Sequence, residues 1–468
     1  PPRAPGRSRA ERVRVRPLDD APITRAHLAM LVVMVVAVTI DLMKPITLAF
    51  VAPGMATEYG LKSALNPGGS VPVALLPLSG IGGTVVGSFA WGWLGDRVGR
   101  RASILLAGVL FTTTAICGAM PAFSWNLAMC FMMGVGAGGM LPIAFTLIAE
   151  TLPTRHRGWL MVLIGGQSAS AYALTSWLAG TLVPVYSWRI LWLLGLPTGL
   201  LVIMLNRWIP ESPRFLLATG RTGEAQLIMA RYGIKRAEFP GQDLPRPAGQ
   251  QRYLELFRHR FAGPTAALVL LGLGVGLITY GFQLWIPTNL QRLGFDQVTA
   301  DSVLRDSSLI GLPLSFVTAW LYGAWSSKKT IIILGLLMVA ALTVFAAWGN
   351  PLISHRLVLN LLLAVPIWGM GSLAALVVAY GSELYPTALR ARGTGLAAGA
   401  TKAGGVLVIA MVVLAVATPS IATTALIGVI PVAVALAALV LSGRETSGRG
   451  LDLAVPGPAT VQAAEGAD

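Results

Sequence analysis

The sequence predicts an all-α membrane protein whose twelve transmembrane helices form two pseudo-symmetric bundles of six. Of its 468 residues, 55% are hydrophobic and only 12% are charged, about half the charged fraction of an ordinary soluble domain. The apolar residues fall in runs of about 20, the length that spans a bilayer as a helix. These runs show none of the polar and apolar alternation of a membrane β-barrel. A soluble fold and a barrel are therefore both excluded.

Twelve apolar runs follow one another along the chain. They fall at about 28–53, 71–94, 102–121, 125–149, 159–183, 188–209, 263–290, 302–325, 329–349, 355–380, 394–418 and 421–442. Each contains Gly or Pro, which membrane helices tolerate because neighbouring helices satisfy the freed backbone groups. The spacing predicts five parts, which are a basic arm (1–27), a first bundle (28–209), a central loop (210–262), a second bundle (263–442) and a tail (443–468).

The basic residues give the orientation. The formal net charge is +15, from 35 Lys and Arg against 20 Asp and Glu. Most of the basic residues fall in the arm, the central loop and alternate short loops, so the positive-inside rule predicts that both termini are cytoplasmic. The first apolar run is too long for a signal-peptide core, and the arm is expected to stay attached. Because no aromatic residue lies among its arginines, nucleic-acid binding is not expected.

The reactive residue types offer no catalytic or metal site. Cys117 and Cys130 both lie inside apolar runs, which favours small buried hydrophobes over a disulfide or a metal ligand. The four histidines lie outside the runs or at their edges. With no nucleophile and base at suitable spacing, we expect neither an enzyme nor a bound cofactor.

The chain also repeats itself. Residues 150–157 and 383–390 share Glu, Pro, Thr and Arg at matching positions, and residues 92–101 have a degenerate copy at 323–329 in which Ser327 replaces Asp96. Two parallel six-helix halves are the architecture of a secondary transporter whose substrate site lies near the midplane, between the halves.

These motifs resemble those of the major facilitator superfamily over residues 28 to about 452. Gly92-x-Leu-Gly-Asp-Arg-x-Gly-Arg-Arg101 matches the loop between its second and third helices, and Pro210-Glu-Ser-Pro-Arg-Phe-Leu216 and Arg444-Glu-Thr-Ser-Gly-Arg449 match motifs after its sixth and twelfth. Ser447 stands where a basic residue is usual. The resemblance is to the sugar porters and to the proton-coupled metabolite and aromatic-acid symporters, and it implies alternating access.

The motif acids and arginines are predicted to form a cytoplasmic gate. They lie at helix ends, where ion pairs between helices have two discrete arrangements, paired and parted. Solvated anchoring charges are the alternative. The predicted gate residues are Asp96, Arg97, Arg100, Arg101, Glu150, Arg157, Glu211, Arg214, Glu383, Arg390 and Glu445.

Two departures bear on the substrate. Span seven reads Tyr280-Gly-Phe-Gln283-Leu-Trp285, with one glutamine where sugar porters have a pair, which disfavours a hexose. Span five, at Gly165-Gly-Gln167, lacks the Gly-Pro pair of the drug antiporters, which disfavours efflux without excluding it.

Ionisable residues within spans are costly and indicate function. Asp41 and Lys44 in span one are three residues apart, on one helix face. Asp41 is a candidate proton carrier, and a permanent structural ion pair is the alternative. Lys402 in span eleven aligns with Gln167 in span five and suggests a central cavity, with snorkelling to the interface as its alternative.

The remaining candidates are weaker. Arg305 lies in a cluster with Asp301 and Asp306 at the start of span eight, where a structural pair is the alternative. Aromatic residues suit a planar ligand, although Trp and Tyr also populate membrane interfaces. The predicted substrate-binding residues are Lys44, Gln167, Tyr280, Gln283, Trp285, Arg305, Trp368 and Lys402.

Together these features predict proton-coupled uptake of a small organic acid, with an aromatic acid as the narrower option, by a monomer in a bacterial inner membrane. Proton-driven efflux, symport of a neutral sugar-like solute and a non-transporting sensor on the same fold remain alternatives. The expected partners are the substrate, protons and lipid, and no metal is expected.

Overall fold

A computed structural model describes residues 22–63, 66–234, 253–258, 261–348, 355–385, 387–415 and 421–446. The helices are α1 Arg25–Glu58, α2 Leu75–Val98, α3 Arg100–Thr114, α4 Phe123–Thr151, α5 Thr154–Gly165, α6 Ser168–Tyr186, α7 Arg189–Leu193, α8 Gly195–Leu205, α9 Pro213–Ala218, α10 Thr222–Arg231, α11 Ala262–Gly281, α12 Ile286–Arg292, α13 Gln297–Ala324, α14 Ser327–Trp348, α15 Arg356–Leu384, α16 Thr387–Ala415 and α17 Ile421–Ser442. Short 3₁₀ turns lie at Ala115–Ala119, Asn206–Trp208, Tyr253–Phe257 and Gln283–Trp285.

The predicted all-α membrane fold is confirmed. Within the described residues, ten helical stretches are long and apolar enough to cross a membrane, and Leu75–Ser88 is a shorter apolar one. Predicted span five is divided between α5 and α6 at Gly166 and Gln167, where the backbone turns. Predicted span seven is divided between α11 and α12 by the turn at Gln283–Trp285. Cys117 and Cys130 are free and buried, as expected for small core residues.

The helices pack as two bundles that meet along one interface. In the first, α4 packs on α2 and α3, and α1 packs on α6; in the second, α11 packs on α16 and α17, and α13 on α15. Across the interface, α13 contacts α5 and α6, α15 contacts α5, and α16 contacts α2. A site between the bundles is therefore built from both halves of the sequence.

Glycines bring α2 and α4 unusually close. A Cβ added at Gly83 or Gly87 would strike the backbone of α4, and one added at Gly134 or Gly138 would strike the backbone of α2. The two pairs have the four-residue spacing that lets membrane helices approach through their backbones. This approach brings backbone carbonyls of both helices together beside α16.

The segment after the first bundle contains the two short helices α9 and α10, which the predicted topology places on the cytoplasmic side. Ser212 caps α9, because its hydroxyl accepts from the Phe215 N–H at 3.2 Å. Just after α10, the ring of Tyr232 stacks on His27 of α1 with the centroids 4.1 Å apart. The His27 imidazole in turn lies 3.2 Å from the Thr151 carbonyl of α4, so the segment is docked beneath the first bundle.

The interface is closed at both ends. By the predicted topology, we call the end that holds Trp159 and Gly323 the inner end, and the end that holds Gly180 and Asp301 the outer end. A Cβ at Gly323 would lie 2.7 Å from the Trp159 Cβ, and one at Gly180 would lie 3.3 Å from the Asp301 Cβ. The helices therefore touch at both ends of the interface, as expected for an occluded arrangement.

Candidate functional site

Asp41 is a buried carboxyl in the middle of α1. Its residue is 5% exposed, and Oδ1 has no hydrogen-bond partner among the described residues. Burying a carboxylate is unfavourable unless it is paired or hydrogen-bonded. An ionised Asp41 would therefore need a partner for this oxygen in the closed structure.

Lys402 connects the two bundles. Its Nζ lies on α16 and donates to the Gly138 carbonyl at 2.8 Å and the Thr84 carbonyl at 3.4 Å, and it also contacts the Ser88 Oγ. These acceptors belong to α2 and α4, at the glycine-lined contact. Lys402 and Lys44 both lie within electrostatic range of Asp41. A cation of the second bundle is thus held by the first bundle, beside the buried acid.

Lys44 points into the first bundle. Its Nζ donates to the Thr198 hydroxyl at 3.3 Å and lies 5.6 Å from the centroid of the Phe111 ring. The sequence places Lys44 on the same helix face as Asp41. Its long side chain nevertheless extends toward α3 and α8. There it lines a small pocket between α1, α6, α7 and α8. The pocket is lined by Ile40, Met43, Lys44, Thr47, Thr175, Leu178, Leu191, Leu194 and Thr198.

Two predicted aromatic residues are buried with unused hydrogen-bond donors. Trp285 is 2% exposed and Trp368 is 6% exposed, and neither indole Nε1 has a partner in the described part of the chain. Trp285 lies in the turn between α11 and α12, and Trp368 lies on α15 against Gly311. Buried indole N–H groups usually find an acceptor, and the described residues supply none to either of these two.

The other predicted residues of span seven also lie at the interface. The Gln283 carbonyl accepts from the Tyr172 hydroxyl of α6 at 3.2 Å, which joins the two bundles. Tyr280 packs against Gly405 of α16 and lies within electrostatic range of Asp41. The turn that splits span seven therefore presents side chains and a backbone carbonyl to the first bundle.

Two predicted binding residues have local partners. The Gln167 side chain donates to the Leu163 carbonyl at 3.0 Å and accepts from Ser170 at 2.8 Å, so it stabilises the break between α5 and α6. Arg305 pairs with the adjacent Asp306 at 2.8 Å, and not with Asp301 as the four-residue spacing suggests. Lys402 and Gln167, aligned by the repeat, have unrelated contacts.

At the inner end, two acids cap helices. The Glu211 carboxylate accepts from the backbone N–H of Arg100, at 2.8 Å, and of Arg101, at 3.2 Å, at the start of α3. The Glu445 carboxylate does the same for α14, accepting from the Ser327 N–H at 3.0 Å. Helix N-termini have unsatisfied N–H groups and a positive dipole end, so carboxylates stabilise them. The start of α3 in the first bundle and the start of α14 in the second are thus stabilised in the same way, each by an acid from a motif after the last helix of its bundle.

The predicted gate contains contacts within and between bundles. Arg100 pairs with Glu150 at 3.3 Å inside the first bundle. Glu383 accepts from Tyr322 at 2.8 Å inside the second, lies within electrostatic range of Arg157 of the first, and would lie 2.7 Å from a Cβ at Gly158. The Arg97 and Arg101 residues are exposed. The side chains of Asp96, Arg214 and Arg390 lie outside the described residues.

Sequence reasoning missed several residues that shape this site. Thr84, Ser88 and Gly138 hold Lys402, and Tyr172 reaches across to Gln283. The four-residue glycine spacing in spans two and four is a signal that could have revealed the first group. Tyr172 gave no signal, since a tyrosine in a membrane span is unremarkable in sequence.

Comparison with known proteins identifies the family. A family model described as Major Facilitator Superfamily matches residues 29–409. Similar proteins include a niacin transporter of Acinetobacter baylyi (26% identical over 395 residues, 83% of this chain and 87% of that protein). A 4-hydroxybenzoate transporter of the same organism is 25% identical (83% and 85%), and a gallate transporter of Pseudomonas putida is 27% identical (83% and 85%).

A solved structure has the same fold. The structure of a proton:xylose symporter bound to 6-bromo-6-deoxy-D-glucose aligns with a TM-score of 0.71 at 18% identity, over 91% of this chain and 98% of that chain. At this identity the likeness concerns the fold. The family model covers most of the chain, and its motifs lie at helix ends on both sides of the bundle interface. The chain therefore belongs to the Major Facilitator Superfamily, a superfamily of membrane transporters and not of enzymes.

Proposed function

We propose that this transporter takes up a small organic anion together with a proton, and that Asp41 carries the proton. The observation that carries the proposal is a buried acid on α1 that lies within electrostatic range of a cation on α16, and this cation contacts the opposite bundle. Asp41 Oδ1 has no hydrogen-bond partner among the described residues, and Lys402 contacts α2 and α4 in the closed arrangement. Each group belongs to a different bundle, so the charge on one influences how the bundles meet.

Charge balance favours symport. With Asp41 ionised, its charge offsets one of the two nearby cations, Lys44 and Lys402. Protonation of Asp41 leaves both cations uncompensated in a poorly solvated region, and an anionic substrate then restores the balance. Proton and anion binding therefore stabilise each other, which is the thermodynamic requirement for coupling.

The unused indole N–H groups favour a carboxylate ligand. Trp285 and Trp368 each offer a donor that has no partner in the described part of the chain, and an anionic acceptor forms stronger hydrogen bonds than a neutral one. Relatives at about 26% identity are described as transporters of niacin, 4-hydroxybenzoate and gallate, which are all aromatic carboxylates. An aromatic acid is therefore the first substrate class to test.

The setting follows from the same proposal. We place both termini in the cytoplasm on the basis of the basic residues in the predicted inner loops. We place the protein in a bacterial inner membrane because similar bacterial proteins are described as transporters, and we propose that it works as a monomer. The two family motifs that contain Glu211 and Glu445 then lie on the cytoplasmic side.

The test is transport in proteoliposomes with an imposed pH gradient. The labelled probes are nicotinate, 4-hydroxybenzoate, xylose and an organic cation. We expect the carboxylates to accumulate and a protonophore to abolish the accumulation. Movement of the cation alone, in exchange for protons, would refute the proposal.

Asp41→Asn separates the two interpretations of the buried acid. Asn cannot exchange a proton, so we expect gradient-driven accumulation to fall to background while counterflow exchange of labelled for unlabelled substrate continues. Glu224→Gln is the control, because Glu224 is an exposed acid of α10 that pairs with Arg221, and it should retain both activities. Loss of both activities in Asp41→Asn would instead indicate a structural role.

A further inference from the structure

A second acid is buried at the bundle interface, away from Asp41. Asp301 lies on α13, five residues after Asp296, which caps the helix by accepting from the Thr299 N–H at 3.1 Å. Asp301 is 1% exposed, and its Oδ2 has no hydrogen-bond partner among the described residues. At about 1.5 Å per residue, Asp301 is only about 7 Å inside the outer end of the helix.

Asp301 is buried by the opposite bundle. Its Cβ lies 3.3 Å from the position that a Cβ at Gly180 would occupy, so α6 passes directly over it. A larger side chain at position 180 would hold α6 away. The burial of Asp301 therefore depends on the contact between α6 and α13, and parting of the bundles at this end exposes the carboxyl to water.

The groups around Asp301 do not neutralise its charge. From α6, the titratable group within electrostatic range is Tyr172, a neutral phenol. On the α13 side it is Asp296, an acid. The nearby arginines are engaged elsewhere or exposed: Arg305 and Arg356 both contact Asp306, at 2.8 and 3.6 Å.

Among the described residues, two other helices contact α13 near Asp301. The α12 helix ends at Arg292, which is exposed. The α15 helix contributes Asn360, whose amide oxygen is itself buried without a partner in the described part of the chain. A carboxylate closed in here would lack both a counter-ion and a full set of donors.

We propose that Asp301 is a proton-binding site in its own right, protonated when α6 and α13 are packed together and ionised when they part, so that the outer pH controls closure of the outer end. The ligand is the proton. The site needs no substrate and no change at Asp41, and it goes beyond the proposed symport by assigning a second acid to the opening of the outer end.

The physical basis is linkage. Closure of the interface over an ionised carboxyl removes its hydration without replacing it, whereas closure over a neutral carboxylic acid does not. Closing is therefore accompanied by proton uptake. Acid favours the closed arrangement, and in the window where the open state is ionised and the closed state is protonated, each pH unit changes the ratio of closed to open molecules by up to about tenfold.

The experiment measures the distance between the bundles as a function of pH. Spin labels are attached at Val185→Cys on α6 and Val298→Cys on α13, both exposed positions near the outer end, with Cys117 and Cys130 replaced by Ala. Distance distributions are recorded by pulsed electron resonance on the full-length protein in nanodiscs, without substrate, between pH 5 and pH 8. The native protein is compared with two variants of Asp301 and one control variant of Glu58.

With the native Asp301, we expect the long-distance population to grow as the pH rises. Asp301→Asn resembles the protonated acid and should stay closed at every pH, whereas Asp301→Glu should restore a pH dependence. Glu58→Gln, the control, removes a different acid at the outer end, one that pairs with Arg189, and it should follow the native protein. The proposal is overturned if the native protein shows no pH dependence, or if Asp301→Asn retains the native one.

Asp41→Asn in the same labelled background separates this inference from the proposed function. A pH dependence that survives Asp41→Asn and disappears in Asp301→Asn assigns the effect to Asp301, whatever the substrate is. A pH dependence that disappears only in Asp41→Asn refutes the inference and leaves the proposed symport intact.

Discussion

Replacing Lys402 by Met should open the inner end of the interface. In the closed structure, Lys402 Nζ donates to the Gly138 carbonyl at 2.8 Å and also contacts the Ser88 Oγ, with the Thr84 carbonyl farther away at 3.4 Å. All three acceptors belong to the opposite bundle. Methionine has a similar length but no donor, so the variant loses contacts that exist only when the bundles are together.

The magnitude follows from the number of contacts. A hydrogen bond with a charged partner contributes about 1.5–3 kcal/mol, and Lys402 makes two at short range. Part of this is recovered when the open state hydrates the ammonium. A net loss equal to one such bond, about 1.5 kcal/mol, corresponds to a shift of about tenfold toward the open arrangement. Tenfold is therefore the smallest shift that we expect.

Spin labels at Arg155→Cys and Ala324→Cys, on α5 and α13 at the inner end, report the separation of the bundles. Lys328→Met is the matched control, because Lys328 also donates to two backbone carbonyls, Val440 at 3.0 Å and Gly443 at 2.9 Å, which both lie in its own bundle. The control should leave the distance distribution unchanged. A shift below about threefold for Lys402→Met, or an equal shift in both variants, would refute the assignment of Lys402 as a contact between bundles.

Two further predictions test contacts of the inner end. Gly323→Val should hold the inner end open and reduce transport strongly, because its Cβ would lie 2.7 Å from the Trp159 Cβ. In the control Gly399→Val, the added Cβ would have nothing within 4 Å, so this variant should transport normally. Equal transport by the two variants would contradict the close contact. Tyr232→Ala should release α10, because it removes a buried ring stacked on His27 at 4.1 Å. Truncation of a buried aromatic residue costs about 3–5 kcal/mol, so tryptic cleavage after Arg221, at the start of α10, should accelerate at least tenfold. Unchanged cleavage there would show that other contacts dock the helix.

The sequence alone predicted the fold class because the membrane leaves few choices. Long apolar runs that satisfy their own backbone groups must be helices, and the repeated motifs at 150–157 and 383–390 indicated two related halves. The breaks within predicted spans five and seven were not predicted, because glycine and proline occur in nearly every span and do not by themselves mark a break. Their positions depend on contacts such as that between Tyr172 and the Gln283 carbonyl.

The candidate site was predicted in part. Charge in an apolar segment is visible in sequence, which is why Asp41, Lys44 and Lys402 were found without a structure. Their partners were not visible, because helical spacing gives the face of a residue but not the reach of a long side chain. Lys44 shares a face with Asp41 and yet donates to Thr198, while Lys402, at least 264 residues away from each of its acceptors, contacts the opposite bundle.

What the sequence by itself determined is therefore the membrane-spanning helical fold, its division into two related halves and the identity of the rare charges within the spans. These are properties of single segments, governed by hydration and by the cost of burying charge. Only the tertiary structure decided which charges meet, which acids are left without partners at the interface and which glycines allow the helices to touch. Such facts arise where the two halves pack together, and no local pattern encodes them, because the groups that contact one another there are far apart in the chain.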